Sequence, residues 1–148
     1  RTLDLFPLTL AQVPMNLLDL RFFQPQITER ILKSGVEIHV RSVFLQGALF
    51  INGSEIPPRL EFARNVLREA QAVGKKWEVS LPALSLSLAL QSPHVSRVII
   101  GVTSSEELRK ILEWPIIPLD SSHFSSLFHA FEKIRQSVPP RLINPHQW

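Results

Sequence analysis

The chain of 148 residues has no cysteine. That excludes a disulfide framework and any thiolate nucleophile or metal ligand, and it is compatible with a reducing compartment. Tyrosine is missing too, so no phenol within these residues can act as a general acid. No apolar run approaches the roughly 20 residues that a membrane-spanning helix needs. No secretory apolar segment follows Arg1, so a cytoplasmic location away from membranes is expected. Polybasic tracts are absent as well. Lys75-Lys76 and Arg109-Lys110 are isolated pairs, and a net charge of +3 is spread along the chain, which argues against nucleic acid as a partner. Neither a G-x-S-x-G elbow nor a phosphate-binding P-loop occurs. The chain opens on Arg1, not Met, and is expected to be part of a longer protein.

What is present describes a folded α/β domain. Hydrophobic residues at 45% and charged residues at 20% give a globular chain with a real core. Leu8–Met15 alternates and then stiffens at Val13-Pro14, as a strand running into a turn. Asn16 to Gln26 reads as a polar loop and Ile27–Lys33 as a short helix, with Gly35 as its left-handed cap. Val36–Leu45 is β-branched and alternating, a second strand that stops at Gln46-Gly47 before a loop over Asn52-Gly53.

Pro57-Pro58 opens what is expected to be the longest helix, closed by Gly74. Leu60, Ala63, Leu67 and Ala70 recur on its inner face, with Arg59, Arg64, Arg68 and Glu69 outside. Leu81–Gln91 is ambiguous: LSLSLAL alternates like a strand, yet its residues are unbranched and Ser80-Leu81-Pro82 is a helix start. We read it as a buried helix. Val95–Ile100 is the third strand, Ser104–Glu113 the helix after it, and Ser122–Arg135 an amphipathic helix capped at Asp120. PPRLINPHQW is expected to be an extended tail that packs through Leu142 and Trp148.

The densest signal is VSRVIIGVTSSEELRKIL, Val95–Leu112. A β-branched strand meets Gly101 and Thr103, then a helix whose Ser104 and Glu107 have capping-box spacing. Strands alternating with helices imply parallel βα units. Three strands are too few for a closed (β/α)8 barrel, which normally takes about 250 residues.

Other candidate chemistry is weaker. Of the five histidines, none pair at i, i+4, and His123 and His129 fall on opposite helix faces; no metal site is expected. His39 reads as a hydrogen-bonded interior group. Asp120, Ser121, Ser122 and His123 tempt a Ser-His-Asp reading, but neighbours on one helix rarely converge as a triad. Phe124, Phe128 and Phe131 form a helical stripe expected to pack on the core.

At Ala11-Gln12, VRSVFLQG and IIGVTSSEEL, within about Leu8–Leu112, the sequence resembles the second half of an aldo-keto reductase, an NADP-dependent (β/α)8 barrel. The terminal NPHQW is similar to the end of bacterial members. The resemblance implies a partial TIM barrel of about three parallel strands with flanking helices, residues 1–120 carrying the βα units and 121–148 the last helix and tail. It implies a nucleotide-facing role for Gln12 near the nicotinamide amide, and for Arg41, Ser42, Val43, Phe44, Leu45 and Gln46 near the pyrophosphate. It assigns Gly101 and Thr103 to the adenosine phosphate, and Glu107, Lys110 and Ile111 to the ribose phosphate and adenine.

Several positions depart from the family pattern. Arg41 stands in place of an aromatic, and Val43-Phe44 in place of Pro-Leu. Glu107 faces a 2′-phosphate unfavourably unless it turns back into the capping box, leaving Arg109 or Lys110 to supply positive charge; Ile111 cannot hydrogen-bond adenine. The family's Asp, Tyr, Lys and His catalytic set belongs to the other half of the barrel, so no catalytic residue is expected here. The chain alone is expected to be inactive, with weak or no NADP binding, and to reduce a small carbonyl substrate only when that half is supplied. The competing expectation is a non-catalytic half-barrel that pairs with a second copy or another chain.

Overall fold

A computed structural model describes residues 7–51 and 55–148, apart from the side chain of Ser121; the loop expected over Asn52-Gly53 therefore lies outside the described residues. Three strands form one parallel sheet in the order β1 (Leu10–Pro14), β2 (Glu37–Arg41), β3 (Arg97–Val98). Around it lie the helices α1 (Pro25–Lys33), α2 (Arg64–Lys76), α3 (Leu81–Gln91), α4 (Ser105–Leu112) and α5 (Ser121–Gln136). Register pairs Gln12 with His39 and His39 with Arg97. Ile38 and Val40 are buried on the helix-covered face, while Glu37 and Arg41 are exposed on the other, the period-2 alternation of a strand covered on one side.

Both later strands are shorter than their β-branched runs. The second was expected to reach Leu45 but ends at Arg41, because Ser42 turns left-handed at φ 58°. The third, expected over Val95–Ile100, spans only Arg97–Val98. Ser96 and Ile99 nonetheless donate backbone N–H bonds to Ile38 and Val40 at 2.9 and 2.8 Å.

α3 explains itself through burial. Every residue from Leu81 to Ala89 is buried, so the helix has no polar face and its sequence carries no 3.6-residue period. Ser80 caps it, accepting from the Ala83 amide, and Pro82 sits in its first turn. Its serines are satisfied by long-range bonds: Ser85 Oγ donates to the Val43 carbonyl at 2.8 Å, and Ser87 Oγ accepts from the Ile117 amide at 3.0 Å.

Elsewhere the structure corrects the sequence reading. The helix after Pro57 is split into a 3-10 segment over Pro58–Ala63 and α2, and the 16-residue α5 is the longest described helix. Gly74 does not close α2. It lies inside the helix, at a point where a Cβ would come within 3.2 Å of the Leu81 side chain and the Val79 carbonyl. The left-handed residue after the helix is Glu78, at φ 54°. α1 begins two residues early, since Pro25 supplies a ready-made first-turn φ. Residues 16–20 are not a polar loop: Leu17, Leu18 and Leu20 are buried, and Asn16 and Asp19 exchange backbone bonds.

The tail is turned, not extended. It ends in a 3-10 helix over Pro145–Gln147, with Leu142 buried and the Arg141 guanidinium 4.6 Å from the Phe62 ring centre.

On α5 the inward stripe is Leu127, Phe131 and Ile134, with Phe124 partly buried. Phe128, expected to pack inward, is 48% exposed and lies under the Arg135 guanidinium at 4.3 Å. Leu127 takes the inward direction and rotates its neighbour to the flank. Replacing Phe131 by alanine should therefore lower stability by about 3–5 kcal/mol, against about 1 kcal/mol or less for Phe128→Ala, measured by urea denaturation.

Candidate nucleotide-facing site

At Arg41 the second strand leaves the sheet through a run of unusual backbone. Ser42, Leu45, Gln46 and Gly47 all have positive φ, from 49° to 83°. Only the last is glycine, and each of the others costs about 1–2 kcal/mol in intrinsic conformational preference. Buried bonds offset this. Asn16, fully buried, donates from Nδ2 to the Ser42 carbonyl at 3.2 Å and accepts the Leu18 amide on Oδ1. Ser85 binds the next carbonyl, that of Val43. Leu45 and Gly47 donate their amides to the carbonyls of Ser42 and Phe44. Neither Asn16 nor Ser85 was anticipated as a support of this loop, since one was read as a loop residue and the other as a helix interior.

The loop forms one wall of a cavity of about 590 Å³, bounded opposite by Ile99, Ile100, Gly101, Thr103 and Glu107. Eight of the anticipated positions meet there: Arg41, Ser42, Val43, Phe44, Gln46, Gly101, Thr103 and Glu107. Phe50, Gly47, Ile99 and Ile100 join them without having been singled out. The remaining four lie elsewhere. Gln12 is exposed on the open sheet face beside His39, and Leu45 is buried in the core. Lys110 and the buried Ile111 border a neighbouring cavity of about 420 Å³. Phe44, Phe50 and Trp114, with ring centres 5.3–5.8 Å apart, form an aromatic cluster bordering both spaces.

Charge is distributed unevenly around the larger cavity. Arg41 donates to the Ser42 hydroxyl at 3.1 Å and is the cation on the lining among the described residues. Glu107 is the carboxylate among them. Ser104 caps α4, accepting the Glu107 amide at 3.1 Å. The reciprocal half of the expected capping box is displaced by one residue: Glu107 Oε2 accepts the amide and hydroxyl of Thr103 at 2.7 and 2.8 Å. Those bonds hold its carboxyl below the ordinary range. Lys110 is engaged by Glu106 at 2.8 Å, and Arg109 lines neither cavity.

The donor set of Arg41 and Ser42 fits the diphosphate of a dinucleotide. It does not fit the additional 2′-phosphate of NADP, because the Thr103 donors are already occupied by a carboxylate.

The histidines and the Asp120 cluster do other work. His39 Nε2 lies 2.9 Å from Glu37 on the open sheet face, with Arg97 on the same carboxylate at 3.9 Å. No group of three metal-ligating side chains forms among the described residues. Asp120 accepts from the amides of Ser122 and His123 and from the Ser122 hydroxyl at 2.6 Å, while His123 Nδ1 is 3.0 Å away. The serine thus donates to the aspartate, not to the histidine, which is a helix cap and not a nucleophile arrangement.

A family model for the aldo/keto reductase family matches residues 2–130 of the chain. The chain therefore belongs to that oxidoreductase family, and its three parallel strands with flanking helices are part of a (β/α) barrel. No curated protein matches it. Among the described residues no helix is long and apolar enough to cross a membrane.

Two outcomes are expected. Ser85→Ala, which strips the donor from the buried Val43 carbonyl, should cost about 1–3 kcal/mol and speed amide exchange across residues 42–47, read by hydrogen-exchange NMR. Asp120 should titrate at about 2, held below its ordinary 3.8 first by the Ser122 hydroxyl and then by the His123 amide. Because the folded value lies below the unfolded one, its contribution is complete above the ordinary value and is lost as pH falls through about 2. Carboxyl NMR titration checks the value, and Asp120→Asn should remove that part of the pH dependence.

Proposed function

We propose that the chain is the C-terminal, nucleotide-facing part of an aldo-keto reductase, reducing a small carbonyl compound to an alcohol once a proton-donating segment completes the barrel. The supporting observation is the cavity at the carboxyl ends of β2 and β3, where Arg41 and Ser42 meet an aromatic wall. The carboxyl rim is where enzymes of barrel architecture carry their chemistry.

A bound nicotinamide dinucleotide would supply hydride. This chain's own groups bind and orient. The Arg41 guanidinium offers paired N–H donors and fixed positive charge to a diphosphate. Ser42 adds a hydroxyl, and Phe44 with Phe50 keeps water from one side. A carbonyl that has accepted hydride is an alkoxide and must take a proton. With no tyrosine in the sequence, the family's phenol donor has to come from outside these residues. A cytoplasmic setting agrees with this reading.

A second reading, a non-catalytic half-barrel that pairs with another copy or chain, is favoured by one observation. β1 and β3 are both edge strands, and Leu8 and Leu10 at the first edge are 36% and 39% exposed. The charged open face, with Glu37, Arg41 and Arg97, weighs against apolar stacking of two sheets.

Alone, the chain should not oxidise NADPH with 4-nitrobenzaldehyde above blank. Adding an N-terminal half-barrel that bears the Asp, Tyr, Lys and His set should restore turnover. Turnover by the chain alone would sink the first reading; a dimer by sedimentation without nucleotide affinity would favour the second.

A further inference from the structure

We infer that this site selects a dinucleotide without a 2′-phosphate, and that Glu107 is the residue that sets the choice. The inference rests on the nucleotide-binding reading above. Among the described residues the cavity carries one guanidinium, Arg41, and one carboxylate, Glu107, from different elements. The diphosphate of any nicotinamide dinucleotide brings two negative charges, for which Arg41 is the counter-ion among the described lining residues. A 2′-phosphate adds a charge of roughly −1.5 to −2 and three more acceptor oxygens. It therefore needs free donors and a further cation.

Among the described residues that line the other end of the cavity there is neither, and Arg109 lines neither this cavity nor the adjacent one. Thr103 presents an amide and a hydroxyl, but both already donate to Glu107 Oε2, at 2.7 and 2.8 Å. Lys110, one turn along the same helix, is paired with Glu106 at 2.8 Å and borders the adjacent cavity. A phosphate here would have to displace a carboxylate that stays ionised through neutral pH and would then sit beside it. A ribose hydroxyl meets the opposite situation. A carboxylate has about four lone-pair sites, and Thr103 uses two, so Glu107 can still accept a 2′-OH. Carboxylate for hydroxyl and cation for phosphate is the general chemistry of telling these two nucleotides apart, and repulsion of the wrong one does as much as attraction of the right one.

The test titrates the 148-residue chain with NADH and with NADPH into the millimolar range, following backbone amide NMR shifts at Gly101 and Thr103. NADH is expected to bind about fivefold more tightly or better, with the gap narrowing as salt is added. Glu107→Gln keeps an oxygen for the Thr103 donors and should bring the two affinities within about twofold. Glu107→Ala, which frees those donors, should favour NADPH further. NADPH binding as well as or better than NADH in the unaltered chain overturns the inference while the nucleotide reading stands, as does a preference that neither variant moves. Failure of both nucleotides to bind all three proteins, also after an N-terminal half-barrel is added, overturns the nucleotide reading and the inference together.

Discussion

The hydrogen bond from Ser85 to the Val43 carbonyl, buried between α3 and the end of β2, is the constraint on which the site depends. A loop with three non-glycine residues at positive φ is intrinsically unfavourable. It persists because its carbonyls have fixed partners, one from α3 and one from Asn16 at the end of β1. The same helix holds the connector before α5, through Ser87 to the Ile117 amide and Gln91 to Ile117 and Leu119. α3 therefore acts as an internal strut, apolar in bulk, with a few polar groups aimed at loops on its two sides. Its burial makes those bonds count, since an unpaired polar group there would carry the full cost of lost hydration.

Much of this was legible in the sequence, and the legible parts share a cause. The parallel strands, the cap at Ser104, the cap at Asp120 and the buried α3 are local patterns in which one residue type has one good use. Several failures also share a cause, dependence on a contact from elsewhere in the chain. Nothing near Gly74 says that Leu81 will pack within 3.2 Å of where a Cβ would sit. Nothing in VRSVFLQG says that Ser42 will leave the strand, because β-branched neighbours favour continuing it and the partners that reverse it lie 26 and 42 residues away. Phe128 looked inward because phenylalanine usually is, but Leu127 had the better direction.

The site divides the same way. Backbone order brought eight anticipated residues to one cavity, since the carboxyl ends of adjacent parallel strands must open on the same side. Side-chain choices within it were not foreseeable from spacing. Glu107 turning to Thr103 and not to Ser104 is a matter of one residue in the turn before α4. That single residue decides whether the helix start holds open amides or an internal anion.

The open face of the sheet carries Gln12, Glu37, His39, Arg41 and Arg97. In a closed barrel such a face becomes the lumen, where water is scarce and every charge must find a counterpart. Glu37 already serves Arg97 at 3.9 Å and His39 at 2.9 Å, so in such a ring it is Arg41, at the rim, that has to be answered from across the lumen or by an anion entering there.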